Sequence, residues 1–151
     1  MMNITITNMI MNTDLWSLFA SSFLAATFLP FSSEVHLAYM AKSINWQLVL
    51  VVATLGNTLG GMTNYFLGYY SKIEWANKYL RIKKEEVEKA QKMVHRYGLI
   101  LSFFCFLPIV GDPIAFVLGL NKEKTLGVVL LMALGKLLRY GVILIMFFSF
   151  N

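Results

Sequence analysis

The 151-residue chain is 58% apolar and 15% aromatic with only 14% charged residues, and its 13 Lys and Arg outnumber 8 Asp and Glu for a net charge of +5. That composition lies outside the ordinary soluble range and assigns the chain to the membrane class. The basic excess stands beside apolar runs, without an aromatic-interleaved groove or zinc pattern, which argues against nucleic acid and for anionic lipid headgroups as its counterpart.

In chain order, the first thirteen residues carry no Lys or Arg, and no small-residue cleavage site follows Leu15 to Phe28. A removable signal peptide is therefore not expected, and the first apolar segment stays in the protein. Leu15 to Leu29 is an apolar run that ends at Pro30, and a second run begins near Glu34 and stops around Lys42. A longer apolar helix, Trp46 to Tyr70, follows. The connecting segment Ser71 to Tyr97 holds eight Lys or Arg against four Glu. Within it Val87, Ala90, Val94 and Tyr97 recur at helical spacing, the pattern of a basic amphipathic helix on the membrane surface. A solvated linker helix that only joins the flanking segments has the same pattern.

The punctuation then repeats. Leu99 to Leu107 is closed by Pro108, a turn runs through Gly111 and Asp112, and Pro113 opens a new helix to Leu120. A last apolar helix, Leu126 to Phe150, ends the chain. Pro30 precedes Glu34 by four residues and Pro108 precedes Asp112 by four, while Pro30 to Gly56 is 26 residues and Pro108 to Gly135 is 27. Both glycines are followed by a polar residue, Asn57 and Lys136. The arms Glu34 to Ala41 and Pro113 to Leu120 each reach only about 12 Å, too short to cross a bilayer core of about 30 Å. The predicted fold is an all-α integral membrane protein, a single domain over 1–151. It consists of two inverted repeats, about 15–70 and 99–150, each a re-entrant helical hairpin plus one transmembrane helix, joined by the basic helix within 71–97. Re-entrant hairpins put ten Lys or Arg on the side of the connecting segment and only Lys42 on the other, against eight to three if the hairpins cross fully. The positive-inside rule then places 71–97 in the cytoplasm. Trp16, Trp46 and Trp75 are read as interfacial anchors at span ends.

Glu34 and Asp112 fall at the hairpin breaks, at membrane depth, where ionisable residues by default indicate an ion or substrate pathway. Alternatively they only cap, or complement the dipoles of, the short helices beside them. Lys136 and Arg139 lie three apart on one face of the last helix, in the middle of a span with no other charge. Pairing them with Glu34 and Asp112 gives two acids and two bases in one buried cluster, either holding the halves together or holding a phosphate headgroup. The helix after Trp46 carries Gly56, Asn57, Gly60, Gly61, Asn64 and Gly68; Gly56, Gly60 and Gly61 are read as helix packing, and Asn57 and Asn64 as hydrogen-bond donors toward the breaks. Pro30, Pro108, Gly111 and Pro113 form the breaks themselves. One cysteine, Cys105, and two isolated histidines, His36 and His95, make no disulfide, triad or metal set, so neither a cofactor, a metal site nor hydrolase chemistry is expected.

The segments LFASSFLAATFLPFSSEV, TLGNTLGGMTNYFLG, RYG followed by FLPIVGDPIAFVLG, and LGKLLRY resemble the DedA membrane proteins, also called VTT or SNARE-associated domain proteins, and the short YqaA-like branch most of all. The resemblance implies two re-entrant hairpins in inverted repeat, bacterial inner-membrane residence, and movement of a phospholipid or polyprenyl phosphate, with proton coupling. Larger members commonly carry arginines near the second hairpin in a pattern like F-x-x-R-F-x-P-x-x-R; here Cys105 and Gly111 occupy those places, leaving Lys136 and Arg139 to supply the positive charge. The expected activity is a lipid transporter or scramblase with Glu34, Asp112, Lys136, Arg139 and Asn57 at its site. A membrane assembly factor whose buried charges only pair is the competing expectation, and a homodimer is compatible with either.

Overall fold

The computed structural model of the chain describes residues 2–26, 32–71, 83–108 and 110–150, and these are helical apart from short turns. The elements are α1 (Met2–Ala25), α2 (Ser32–Ser43), α3 (Trp46–Tyr70), α4 (Lys84–Tyr97), a 3₁₀ segment (Gly98–Phe106), α5 (Gly111–Leu120) and α6 (Thr125–Ser149). The long helices α3 and α6 stand within one residue of their predicted bounds. Asn45 starts α3 by accepting a 2.9 Å hydrogen bond from the Gln47 amide, the side-chain cap that a helix N-terminus calls for.

Three elements differ from the sequence reading. Helix α1 begins at Met2 instead of Leu15, because the polar residues Asn3, Asn8, Asn12 and Asp14 interrupt hydropathy without breaking the helix. Trp16 therefore lies inside α1 and not at its end, where it is 71% exposed. The segment before Pro108 is 3₁₀, not α-helical. Gly98, at φ 56°, is where α4 gives way to it, a left-handed conformation that glycine adopts without a Cβ penalty. The short helices are longer than eight residues: α2 has 12 and α5 has 10, about 18 and 15 Å, still short of a bilayer. The first break, Pro30, lies outside the described residues, as do Lys72, Trp75, Lys78 and Arg81.

Two apolar cores form, and neither belongs to one half of the chain. Leu18, Leu37, Met40, Val49 and Ala53 pack with Tyr140 and Leu144 from the end of α6. Leu101, Cys105, Phe116, Val128 and Met132 pack with Met62 and Tyr65 from the end of α3. Each long helix thus closes the core of the other half. Ala90 and Val94 of α4 are buried in the second cluster, so this part of the amphipathic face is covered by the protein itself.

Glycines set the helix spacing. A Cβ on Gly56 would sit 2.6 Å from the Phe19 carbonyl oxygen, and Gly135 faces the Phe103 carbonyl in the same way. Gly68 meets the Phe116 backbone and Gly119 the Tyr65 backbone, so α3 and α5 touch main chain to main chain through a reciprocal pair.

Part of the surface is as apolar as the cores. Along α6, Leu126, Leu130, Leu134, Leu138, Val142 and Ile145 are all exposed while Met132, Lys136 and Tyr140 on the opposite side are buried. The exposed stripe runs about 29 Å, the thickness of a hydrocarbon core. Among the described helices, only Thr125–Ser149 is long and apolar enough to cross a membrane; α3 has the length but carries Thr54, Thr58 and Asn64 along its buried side.

Candidate functional site

Where α1 ends, its last carbonyls lose their helical partners, and in an apolar setting each must be met by protein. Asparagines of α3 meet them. Asn57 Nδ2 donates to the Ser22 carbonyl at 3.0 Å, and Asn64 Nδ2 donates to the Ala26 carbonyl at 3.3 Å. Asn64 Nδ2 also reaches the Asp112 carboxylate at 3.0 Å. At the second break the Phe106 carbonyl, last of the 3₁₀ segment, accepts from Arg139 Nη1 at 2.5 Å. The same guanidinium forms an ion pair with Glu34 through Nη2.

Lys136 lies one turn from Arg139 and is only 3% exposed. Its ammonium donates to the Asn57 backbone carbonyl. Gly61 leaves room for it, since a Cβ there would come within 2.7 Å of Lys136 Nζ; this glycine accommodates a charge and does not bring two backbones together. Ser33 and Tyr140 share a buried hydrogen bond of 3.0 Å, a second tie between α2 and α6 beside the ion pair.

These side chains surround a polar chamber of about 30 Å³ lined by Ser33, Asn57, Cys105, Pro108, Asp112, Lys136 and Arg139, among others, room for about one water. Of the four charges predicted as one cluster, Asp112, Lys136 and Arg139 line this chamber from α5 and α6, and Glu34 of α2 joins them through its ion pair with Arg139. The pairing is more specific than charge alone requires: Glu34 takes Arg139, and Asp112 takes Asn64. Asp112 does not cap α5, whose N-cap position is Val110 with no side-chain cap bond. Gly111 opens α5 against the Cys105 backbone, its would-be Cβ 2.9 Å from that carbonyl carbon, and Pro113 follows in the first turn.

Residues 29–149 match the VTT domain model. The chain belongs to the VTT domain family. Among relatives, the inner membrane protein YqaA of Escherichia coli is 40% identical over 130 residues, covering 84% of this chain and 86% of YqaA. An uncharacterized protein of Haemophilus influenzae is 30% identical over 148 residues, 88% of this chain and 90% of that protein. An alkaline phosphatase-like protein of Lactococcus lactis is 30% identical over 125 residues, 74% of this chain and 58% of that protein. No solved structure matches the chain.

Within this VTT domain the sequence reading missed Ser33, Tyr140 and the Phe106 carbonyl, none of which carries a charge or motif to signal it. A side chain at Gly111 would strike the Cys105 main chain, so this backbone has no room for the arginine that the resemblance leads one to expect there. The cations that line the chamber, Lys136 and Arg139, stand instead on α6.

Proposed function

We propose that this VTT domain protein moves a phosphate-bearing lipid across the bacterial inner membrane, the chamber between α2, α5 and α6 being where the headgroup passes. Inner-membrane residence follows YqaA of Escherichia coli, named as an inner membrane protein, and the apolar stripe along α6. The observation that carries the function is the convergence of Asp112, Lys136 and Arg139 on one small polar chamber, with Glu34 paired to Arg139 beside it. Charges at such depth are expensive to keep and are retained where something charged must pass.

The architecture we read for it is a pair of inverted repeats with re-entrant hairpins at α1–α2 and at the 3₁₀ segment with α5. Matched order supports this, as do the matched contacts of Gly56 with Phe19 and Gly135 with Phe103. Segment 71–97 faces the cytoplasm by its excess of Lys and Arg, and its basic side faces anionic lipid. Guanidinium and ammonium at the chamber take the phosphate, the arginine through two parallel donors.

A second reading is favoured by one observation. Arg139 already joins Glu34 to the Phe106 carbonyl, which suits a brace in a membrane assembly factor. Liposomes reconstituted with the protein and labelled lipid separate the two. Crossing that is lost in Glu34→Gln and Arg139→Gln supports transport; a well-folded wild type that moves neither phospholipid nor polyprenyl phosphate sinks it.

A further inference from the structure

Beside the chamber, and sharing Arg139 and Pro108 with it, lies a larger groove of about 550 Å³ between the 3₁₀ segment and α6. Phe103 and Phe106 line it from the 3₁₀ segment and Leu138 and Val142 from α6, and the Glu34–Arg139 pair lines it where it meets the chamber. The volume is that of a ligand site. Leu138 and Val142 belong to the exposed apolar stripe of α6, 51% and 54% exposed, so the groove opens sideways onto the bilayer. Glu34 and Arg139 side chains are themselves partly exposed, 23% and 21%.

We infer that this groove holds one acyl chain of a zwitterionic phospholipid whose phosphate meets Arg139 and whose ammonium meets Glu34. The inference deepens the transport reading by naming the tail subsite and the headgroup class. An amphiphile is required because the lining is apolar except for one ion pair, which stands on the side shared with the chamber. The charge count selects the headgroup. Arg139 is already neutralised by Glu34, and a purely anionic headgroup that took the arginine would strand the carboxylate in a poorly solvated place, a strongly unfavourable exchange. A headgroup with both charges replaces each partner with its equivalent, phosphate for carboxylate and ammonium for guanidinium, and leaves no charge unpaired.

The test uses the full chain in nanodiscs with a phosphatidylethanolamine that carries a diazirine in the middle of one acyl chain. Photolysis and peptide mapping are expected to place label on Phe103 to Phe106 and Leu138 to Val142. Unlabelled phosphatidylethanolamine should compete about tenfold better than phosphatidylglycerol, a difference of about 1.4 kcal/mol, and Glu34→Gln should erase that preference. Val142→Trp, which fills the groove from its lipid side, should abolish the labelling, while Leu55→Trp on the exposed face of α3 should not. Label spread equally over the exposed face of α3, equal competition by the anionic lipid, or unchanged labelling in Val142→Trp would each overturn the inference. Labelling requires no crossing. A labelled groove in a protein that moves no lipid therefore removes transport alone, and crossing without groove labelling removes this inference alone.

Discussion

Asn64 and Asp112, 48 residues apart in sequence, meet in a 3.0 Å hydrogen bond, and the same amide nitrogen of Asn64 also donates to the Ala26 carbonyl at 3.3 Å. One side chain thus satisfies the end of α1 and fixes the first turn of α5. Asn64→Leu is expected to lower stability by about 1–3 kcal/mol, because it leaves a buried carbonyl and a carboxylate without their donor. Asn64→Asp should cost more, since it sets a second carboxylate against Asp112. Melting temperature in detergent measures both, and a leucine variant as stable as wild type would show that the bond contributes nothing.

Glu34 and Arg139 form a pair across the two halves of the chain. Removing either partner of a shielded pair costs about 3–5 kcal/mol, whereas replacing both with apolar residues is often neutral. Glu34→Gln and Arg139→Gln should each destabilise, and Glu34→Leu with Arg139→Leu should recover most of the loss. Transport discriminates further: the stable double variant should still move no lipid. If it moves lipid at the wild-type rate, the pair is a brace.

The membrane class, both long helices and the four charges of the site were legible because each is a local signal: apolar length, or a lone ionisable residue in an apolar run. Trp46–Tyr70 needs only composition and a cap. The helix start at Met2 was not legible, because hydropathy marks where a segment meets lipid and not where its hydrogen bonds begin. Nor was the 3₁₀ form of Gly98–Phe106, which the apolar pattern does not distinguish from α. Asn64 choosing Asp112, and Tyr140 choosing Ser33, depend on tertiary packing that brings residues 48 and 107 positions apart together. The roles of the glycines divided for the same reason: Gly56 packs on backbone, while Gly61 makes room for a lysine that the sequence places 75 residues later.

Gly68 and Gly119 interlock α3 with α5 through each other's neighbouring backbone. A methyl group at either position meets main chain that has no rotamer to escape into. Gly68→Ala or Gly119→Ala should force the helices apart and lower stability by about 1–3 kcal/mol, the cost of overpacking. Gly141, with nothing within 4 Å of its would-be Cβ, is the control. Gly141→Ala should stabilise by up to about 1 kcal/mol through helix propensity. Parallel melting curves decide it, and equal behaviour of the two sites would remove the close α3–α5 contact.

Lys136 offers the sharpest separation of holding from moving. It is 3% exposed, and its ammonium donates to a backbone carbonyl of α3. Methionine has nearly the same shape without the charge, but it takes a donor from the Asn57 carbonyl and a cation from beside Asp112. Lys136→Met should still fold and reach the membrane, at a cost of about 1–3 kcal/mol in stability that its melting temperature measures. Its chamber, however, keeps Asp112 and an Arg139 already neutralised by Glu34, so a phosphate entering there meets net negative charge. Lipid crossing in liposomes should fall by at least about tenfold, a barrier increase of about 1.4 kcal/mol, while Lys136→Arg should retain part of the rate if the methylene stem and Gly61 leave room for a guanidinium. Wild-type crossing in the methionine variant would take Lys136 out of the pathway and leave Arg139 as the cation that carries it.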